Sequence, residues 1–350
     1  MTATDIATRE GRVAARPGAR RVHPRSWTWR FEVLCLAAAM VAAVVALSSW
    51  TPPAKPGTTP PGVTRARSGL VMSDSFGRAE PARSLADRYI FDGSASPGVG
   101  YEEGTPRGLV VGVRPHAGWE GWFAVTIHAA GPGVTWHAVM SRPPGAVTSG
   151  TGEAVFAVQT ATTQSTGAIN YVVVEDSNRS GKSHWMVGYA HGFVADAATQ
   201  VLWRSPDSTT APASEPVTVQ TDGRYRLSVW LGDRLVYSSD RLVMDIPAPF
   251  QAYLEVQGLS IGYASRFQDF WVARTAPLTL TGLRPGDRAR LVESGRTVAS
   301  GVAGADGRAA LSLPPPEESG VGTLVVDGSS GTRSYPALPY AGGDVLRVGA

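Results

Sequence analysis

Alternation of apolar and polar side chains is the feature of this sequence that most limits its fold. A strand points successive side chains to opposite faces, so a period of two indicates a strand with one buried face. Such strands are typical of antiparallel sheets, because the strands of parallel α/β sheets are apolar on both faces. The apolar residues of the four clearest segments are Phe123/Val125/Ile127, Ile169/Tyr171/Val173, Tyr225/Leu227/Val229/Leu231 and Ala252/Leu254/Val256.

Composition and length agree with an all-β chain of two domains. The 350 residues include 40 Gly and 26 Pro, which suit many short strands joined by tight turns. A hydrophobic fraction of 43% is enough for two cores. Further candidate strands are Leu109–Val113, Thr135–Met140, Ala154–Thr160, His184–Tyr189 and Thr199–Trp203.

Two short segments predict where the large domain opens and closes. Ser73–Arg78 carries Phe76 close to Asp74, and Arg266–Val272 carries Phe270 next to Asp269. The ends of a domain tend to lie close together, so we expect these segments to pair on one sheet. Phe270 is predicted to point into the core.

The short sequence motifs in these two segments resemble those of a known family. Asp74-Ser75-Phe76 and Asp269-Phe270-Trp271-Val272 are similar to the Asp-x-Phe start and Asp-Phe-x-Val finish of concanavalin A-like, laminin G-like jelly rolls of bacterial surface proteins. The resemblance covers residues 69–274 and implies an antiparallel jelly-roll sandwich, a fold that hosts many functions. It also implies a structural calcium ion, with Asp74 and Asp269 as candidate ligands. The alternative, which we favour, is that both aspartates cap strand ends.

The pattern restarts with a shorter unit after Ala276-Pro277. Residues 275–350 are predicted to form a small C-terminal β-sandwich, similar to the immunoglobulin-like domains of bacterial surface proteins. The three prolines 314–316 are expected in a loop or at a sheet edge. Its candidate strands are Leu278–Thr281, Arg290–Glu293, Thr297–Ser300, Ala309–Leu313 and Thr323–Val326.

The N-terminal part predicts a membrane anchor. Residues 1–30 form an Arg-rich, disordered cytoplasmic tail, and residues 31–50 form one transmembrane signal-anchor helix, because their apolar stretch spans about 27 Å at the rise of an α-helix. The arginines place the N-terminus in the cytoplasm and the later domains outside the cell membrane. The alternative is a signal peptide cleaved near Ala46-Leu47-Ser48. Residues 51–68 are predicted to be a Pro/Thr/Gly linker.

Charge excludes nucleic acid as a partner. Residues 1–50 hold seven of the 32 basic and three of the 29 acidic residues, so the remainder has 32 − 7 = 25 basic and 29 − 3 = 26 acidic residues. A net charge of −1 offers no basic face for phosphates. The single cysteine, Cys35, lies in the apolar segment, so the exported part contains no disulfide.

Catalytic motifs are absent from the sequence, so we expect no enzyme. The Glu-x-Asp-x-x-Glu pattern of jelly-roll glucanases does not occur, and the adjacent Glu175 and Asp176 point to opposite faces of a strand. Asp245 and Glu255 are isolated along the chain. No pair of histidines has metal-ligand spacing, and no Gly-x-Ser-x-Gly elbow occurs.

Aromatic residues carry the functional prediction. Trp230 and Tyr253 fall on the polar sides of their strands, with Gln251 and Glu255 beside Tyr253. Exposed rings with hydrogen-bonding neighbours suit sugar rings, although packing beneath loops or against the small domain is an alternative. The chain is therefore predicted to be a membrane-anchored, extracytoplasmic, non-catalytic binding module for cell-envelope or extracellular glycan. One alternative is a structural or protein-interaction component of the envelope. The other alternative is a divergent glycoside hydrolase or lyase.

Overall fold

A computed structural model of the chain describes residues 58–74, 85–93, 95, 97–105, 108–141, 151–161, 170–179, 182–190, 199–209, 212, 214–259 and 262–349. The predicted cytoplasmic tail (1–30), the predicted transmembrane helix (31–50) and residues 51–57 of the predicted linker lie outside these residues. Within them, no helix has the length and apolar character needed to cross a membrane.

The described residues form an all-β structure with one short 3-10 helix at Pro315–Glu317. Most of the strands expected from the sequence are present, often one to three residues longer than predicted. The strands are β1 (Val63–Arg67), β2 (Leu70–Asp74), β3 (Tyr89–Gly93), β4 (Gly100–Thr105), β5 (Gly108–Val113), β6 (Trp119–Thr126), β7 (Val134–Ser141), β8 (Thr151–Thr160), β9 (Tyr171–Arg179), β10 (Lys182–Ala190), β11 (Gln200–Arg204), β12 (Ser214–Thr221), β13 (Leu227–Leu231), β14 (Arg234–Ser239), β15 (Phe250–Leu259), β16 (Tyr263–Arg274), β17 (Leu278–Thr281), β18 (Arg288–Glu293), β19 (Arg296–Val302), β20 (Ala309–Leu311), β21 (Ser319–Gly328), β22 (Gly331–Ala341) and β23 (Val345–Val348).

Strands β2 to β16 build a large sandwich of two antiparallel sheets. One sheet has the order β11-β10-β9-β8-β15-β6-β3, and the other has the order β14-β13-β12-β7-β16-β5-β4, with β2 added beside β16. We call them the seven-stranded and the eight-stranded sheet. Their inner faces share one core, to which Phe156 and Leu254 contribute from the first sheet and Trp136 and Phe267 from the second, all fully buried.

The predicted pairing of the opening and closing segments is confirmed for Ser73 and Asp74, and residues 75–78 of the opening segment lie outside the described residues. β2 runs antiparallel to β16, with Asp74 opposite Phe270 and Met72 opposite Val272. Phe270 is 3% exposed and belongs to the core, as expected. β16 lies inside the eight-stranded sheet, and a bulge against β7 places Asp269 at a φ of 46°.

Residues near the C-terminus form a small second sandwich. Its two sheets have the orders β1-β23-β17-β20 and β19-β18-β21-β22 around a separate core that includes Leu278, Leu291 and Leu324. The Pro314–Pro316 run lies outside the strands, as predicted. The immunoglobulin-like character of this sandwich remains a prediction.

Strand β1 corrects the predicted domain boundaries. It precedes the large sandwich in the chain, yet it pairs with β23 of the small one, with Val63 opposite Val348. The Val63 side chain is 3% exposed and lies in the core of the small sandwich. Residues 63–67 are therefore part of a folded domain and not of the linker predicted at 51–68. The large sandwich is an insertion between β1 and β17 of the small one.

A buried carboxylate holds this junction together. Asp344 is fully buried, and its two oxygens accept hydrogen bonds from the backbone N–H groups of Gly69 (2.7 Å) and Ala341 (3.0 Å). Arg65 Nε lies 3.3 Å from Asp344 Oδ2. A Cβ atom on Gly69 would lie 1.8 Å from the carbonyl oxygen of Gly342, so this crossing between the sandwiches requires glycine.

The small sandwich covers part of the outer face of the eight-stranded sheet. Trp271 and Ala273 of β16 pack with Ala341 of β22 in a small apolar cluster. Glu318, which follows the 3-10 helix and is 4% exposed, hydrogen-bonds to the Thr135 hydroxyl, and Gln220 Nε2 donates to Glu318 Oε1 over 3.4 Å. Burial raises the pKa of Glu318 to about 7, partly offset by the Thr135 hydrogen bond.

We expect this contact to be more stable at acidic pH. Because the pKa of Glu318 is raised in the folded state, the stabilisation is complete below the ordinary value of 4.5 and is lost as the pH rises towards about 7. Neighbouring His137 stays neutral there, because burial lowers its pKa to about 4. Melting temperatures of the wild type and Glu318→Gln across this range should show a weaker pH dependence in the variant. Parallel curves would contradict the assignment.

Candidate ligand-binding site

Strand β15 lies inside the seven-stranded sheet and carries three of the four predicted ligand residues. Ala252, Leu254 and Val256 point into the core and are fully buried. The alternating residues Gln251, Tyr253 and Glu255 therefore lie on the outer face of that sheet. The structure brings these three together, as predicted.

Trp230 lies elsewhere, which corrects the predicted site. Its neighbours Val229 and Leu231 on β13 point into the core, so Trp230 lies on the outer face of the eight-stranded sheet. Its cross-strand partner there is Thr218. Trp230 and Tyr253 are thus on opposite sides of the large sandwich and do not form one platform.

The outer face around Tyr253 is unusually apolar. On two strands, the residues that were predicted to point into the core point outward instead. Phe123 and Val125 on β6 were expected in the core, but Ala124 occupies that position and they point outward. Likewise Val172 and Val174 of β9 are in the core, whereas Tyr171 and Val173 point outward. Apolar side chains on an outer face are either covered by other parts of the chain or form a binding surface.

Three small apolar residues on this face form the floor of a patch with a polar and aromatic rim, which we call the rimmed patch. Cross-strand pairs arrange it in three rows over β15, β8 and β9. The floor residues Val155, Ala157 and Val173 are only 2% to 5% exposed although they point away from the core. The rows are Glu255–Val155–Glu175, Tyr253–Ala157–Val173 and Gln251–Gln159–Tyr171.

Glu255 is the electrostatic centre of the rim. Burial raises its pKa to about 7, and hydrogen bonds from Gln257 and Tyr253 partly offset this effect. A Cβ atom on Gly121 of β6 would lie 2.9 Å from Glu255 Oε1, so the glycine leaves room for the carboxyl group. At neutral pH this group exists in both protonation states and can donate or accept a hydrogen bond.

Aromatic residues of β6 extend the patch. The rings of Phe123 and Tyr253 are in contact, with centroids 4.7 Å apart. Trp119 at the start of β6 is 42% exposed, and its indole N–H donates to Gln257 Oε1 over 2.6 Å. One hydrogen-bonded chain therefore links the exposed Trp119 through Gln257 to Glu255.

The described residues do not fit the calcium ion implied by the family resemblance. The carboxylate of Asp74 is bound by the Arg88 guanidinium and accepts a hydrogen bond from the Tyr89 hydroxyl at 3.1 Å. Asp269 is exposed on the β16 bulge. No group of three or more His, Cys, Asp or Glu side chains suited to a metal occurs in the described part of the chain.

Several residues of the patch were missed from the sequence. Glu175 and Glu255 are eighty residues apart in the chain, and only the pairing of β8 with both β9 and β15 brings them to one row. Phe123 and Tyr171 were assigned to the core from their alternation, although both faces of their strands are apolar. Apolar residues on both faces of these strands were the sequence feature that could have revealed the patch, because they predict either a covered outer face or a binding surface.

The sequence matches no protein-family model and no curated protein. In structure, the chain is similar to the endo-β-1,3-glucanase from Pyrococcus furiosus, with 11% identity and a TM-score of 0.43 over 61% of this chain and 98% of the other. It is also similar to a pseudo β-1,3-glucanase of Mycobacterium tuberculosis, with 14% identity and a TM-score of 0.42 over 59% of this chain and 99% of the other. It is similar as well to a Bacillus subtilis protein of unknown function with a galectin-like fold, with 9% identity and a TM-score of 0.41 over 60% of this chain and 98% of the other.

Proposed function

We propose that this chain is a membrane-anchored, extracytoplasmic, non-catalytic glycan-binding protein and that the rimmed patch is its glycan site. One observation carries the proposal: an apolar floor on an outer sheet face is surrounded by two tyrosines, two glutamates and two glutamines. Sugar rings have apolar C–H faces and hydroxyl rims, which match an apolar floor and a hydrogen-bonding rim.

The dimensions of the patch suit a short piece of polysaccharide. Three strands at about 4.8 Å spacing give a width of about 10 Å, which is enough for one to two sugar rings. Trp119 and Phe123 lie beyond Glu255 on the next strand and provide further ring surface. A short internal segment of a polysaccharide would therefore match the row from Glu175 to Phe123 in length.

The placement of the patch supports display away from the anchor. The described chain begins at the small sandwich, where the Gly349 N–H donates to the carbonyl oxygen of Gly62 over 2.7 Å. The small sandwich packs on the outer face of the eight-stranded sheet, whereas the rimmed patch lies on the opposite sheet. A tether preceding residue 58 would thus hold the patch on the far side of the molecule.

Tyr253→Ala is expected to weaken glycan binding by about tenfold or more, because a stacked aromatic ring contributes on the order of 1 kcal/mol beyond its buried area. Trp230→Ala is the matched control, since Trp230 is a half-buried aromatic residue on the opposite outer face. The measurement is binding of the full-length protein to a broad glycan array, with melting temperatures of both variants. Equal losses in the two variants, or no retained glycan for the wild type, would reject the assignment.

Glycoside hydrolysis is the second candidate function. It is favoured by Glu255, whose raised pKa suits a general acid, together with Glu153 on the neighbouring strand β8. Release of reducing sugar from an array-positive oligosaccharide, abolished in Glu255→Gln, would assign this activity in place of pure binding.

A further inference from the structure

The electrostatic field at the rimmed patch is negative. Burial is the largest cause of the raised pKa of Tyr171 and of Tyr253, and the carboxylate of Glu255 raises both further. Glu175 adds to the effect at Tyr171, Asp92 adds to it at Tyr253, and Glu153 raises the pKa of Glu255 itself. The field therefore favours a positive group in a ligand and opposes carboxylate, sulfate or phosphate.

The aromatic rings of the patch suit a cation as well. Tyr171 and Tyr253 both pack against the apolar floor, and Phe123 contacts Tyr253 from the other side. The faces of aromatic rings attract ammonium groups through their quadrupole. A carboxyl group next to ring faces is a combination that recognises an ammonium group through charge, hydrogen bonds and cation–π contact together.

A buried acceptor in the third row supplies an independent sign of a ligand. Gln251 is 1% exposed, and its Nε2 donates to the carbonyl oxygen of Ile127 over 3.5 Å. Its Oε1 is buried and has no hydrogen-bond partner among the described residues. An unsatisfied buried acceptor is costly, and here it lies in the row next to Tyr253. A hydroxyl or ammonium donor of a ligand would satisfy it.

We propose that the glycan bound at the rimmed patch carries free amino groups, with an ammonium group held beside Glu255 against the ring of Tyr253. This inference rests on the proposed glycan-binding function and narrows its ligand to amino sugars that are not acetylated. Acidic polysaccharides are excluded by the same charges.

The test compares three oligomers of equal length: β-1,4-linked glucosamine, its fully N-acetylated form, and glucose. Binding to the full-length protein is measured by calorimetry at neutral pH, where Glu255 is partly ionised, and at low salt, in a detergent without a sugar head group. The glucosamine oligomer should bind about tenfold or more tightly than either other oligomer, and added salt should reduce the difference. Glu255→Gln should bring the preference close to unity. Asp269→Asn, an exposed carboxylate of the opposite sheet, should leave it unchanged.

The outcomes separate this inference from the function on which it rests. Equal affinity for the glucosamine oligomer and its N-acetylated form, or tighter binding of glucose, overturns the amino-sugar inference while glycan binding stands. Retention of no glycan on the broad array and no binding of any of the three oligomers overturns the proposed function itself.

Discussion

Replacing Phe270 with alanine is expected to lower the free energy of unfolding by about 3 to 5 kcal/mol, the usual cost of truncating a buried phenylalanine. Phe270 is 3% exposed in the core between the two large sheets. It also lies on β16 at the point where β2 pairs, so the cavity would form where the domain closes. Chemical denaturation of the full-length protein measures the change.

Tyr225→Ala provides the comparison for this variant. Tyr225 is an aromatic residue of the same sandwich, but it is 44% exposed, so its truncation should change stability by less than about 0.5 kcal/mol. A similarly small effect for Phe270→Ala would show that the closing strand is misassigned.

Arg65→Ala is expected to destabilise the protein by about 3 kcal/mol, because it removes one partner of a buried ion pair and leaves the other charge uncompensated. The side chains of Arg65 and Asp344 are 12% and 1% exposed. Arg65 lies on β1, in a segment whose sequence predicts a linker. The variant therefore tests whether this segment is part of the small sandwich.

Arg290→Ala is the matched control within the same sandwich. Arg290 pairs with Asp327 at 3.0 Å, but these side chains are 47% and 37% exposed, so water screens the pair. Its loss should therefore change the stability of the protein little. Equal effects of the two variants would mean that β1 does not stabilise the small sandwich.

Sequence patterns predicted the strands well where one face of a strand is polar. On β15 and β13, Leu254 and Val229 point inward as the alternation indicates. On β6 and β9 both faces are apolar. Ala124 and Val172 lie in the core, whereas Phe123 and Tyr171 point outward. A period-two pattern indicates that alternate residues share one face of the strand. It does not indicate which face lies in the core when both faces are apolar.

The candidate site was only partly accessible from the sequence. Gln251, Tyr253 and Glu255 follow one another on a single strand, so their common face could be derived from spacing alone. Trp230 was grouped with them because it also lies on the polar side of its strand. Strand spacing contains no information about which of the two sheets a strand joins, and the structure separates Trp230 from Tyr253 by the full thickness of the sandwich.

Sequence patterns alone were enough to predict the all-β class, most strand positions, the pairing of Ser73–Asp74 with Phe270–Trp271, and the start of a second unit after Pro277. These properties follow from local alternation and from turn and proline chemistry, which act within a few residues. Two further features became visible only in the folded chain: Val63–Arg67 completes the small sandwich, and Glu175 and Glu255 share one row. Both depend on the pairing of strands far apart in the chain, and that pairing is selected by the burial of whole sheet faces rather than by any local pattern.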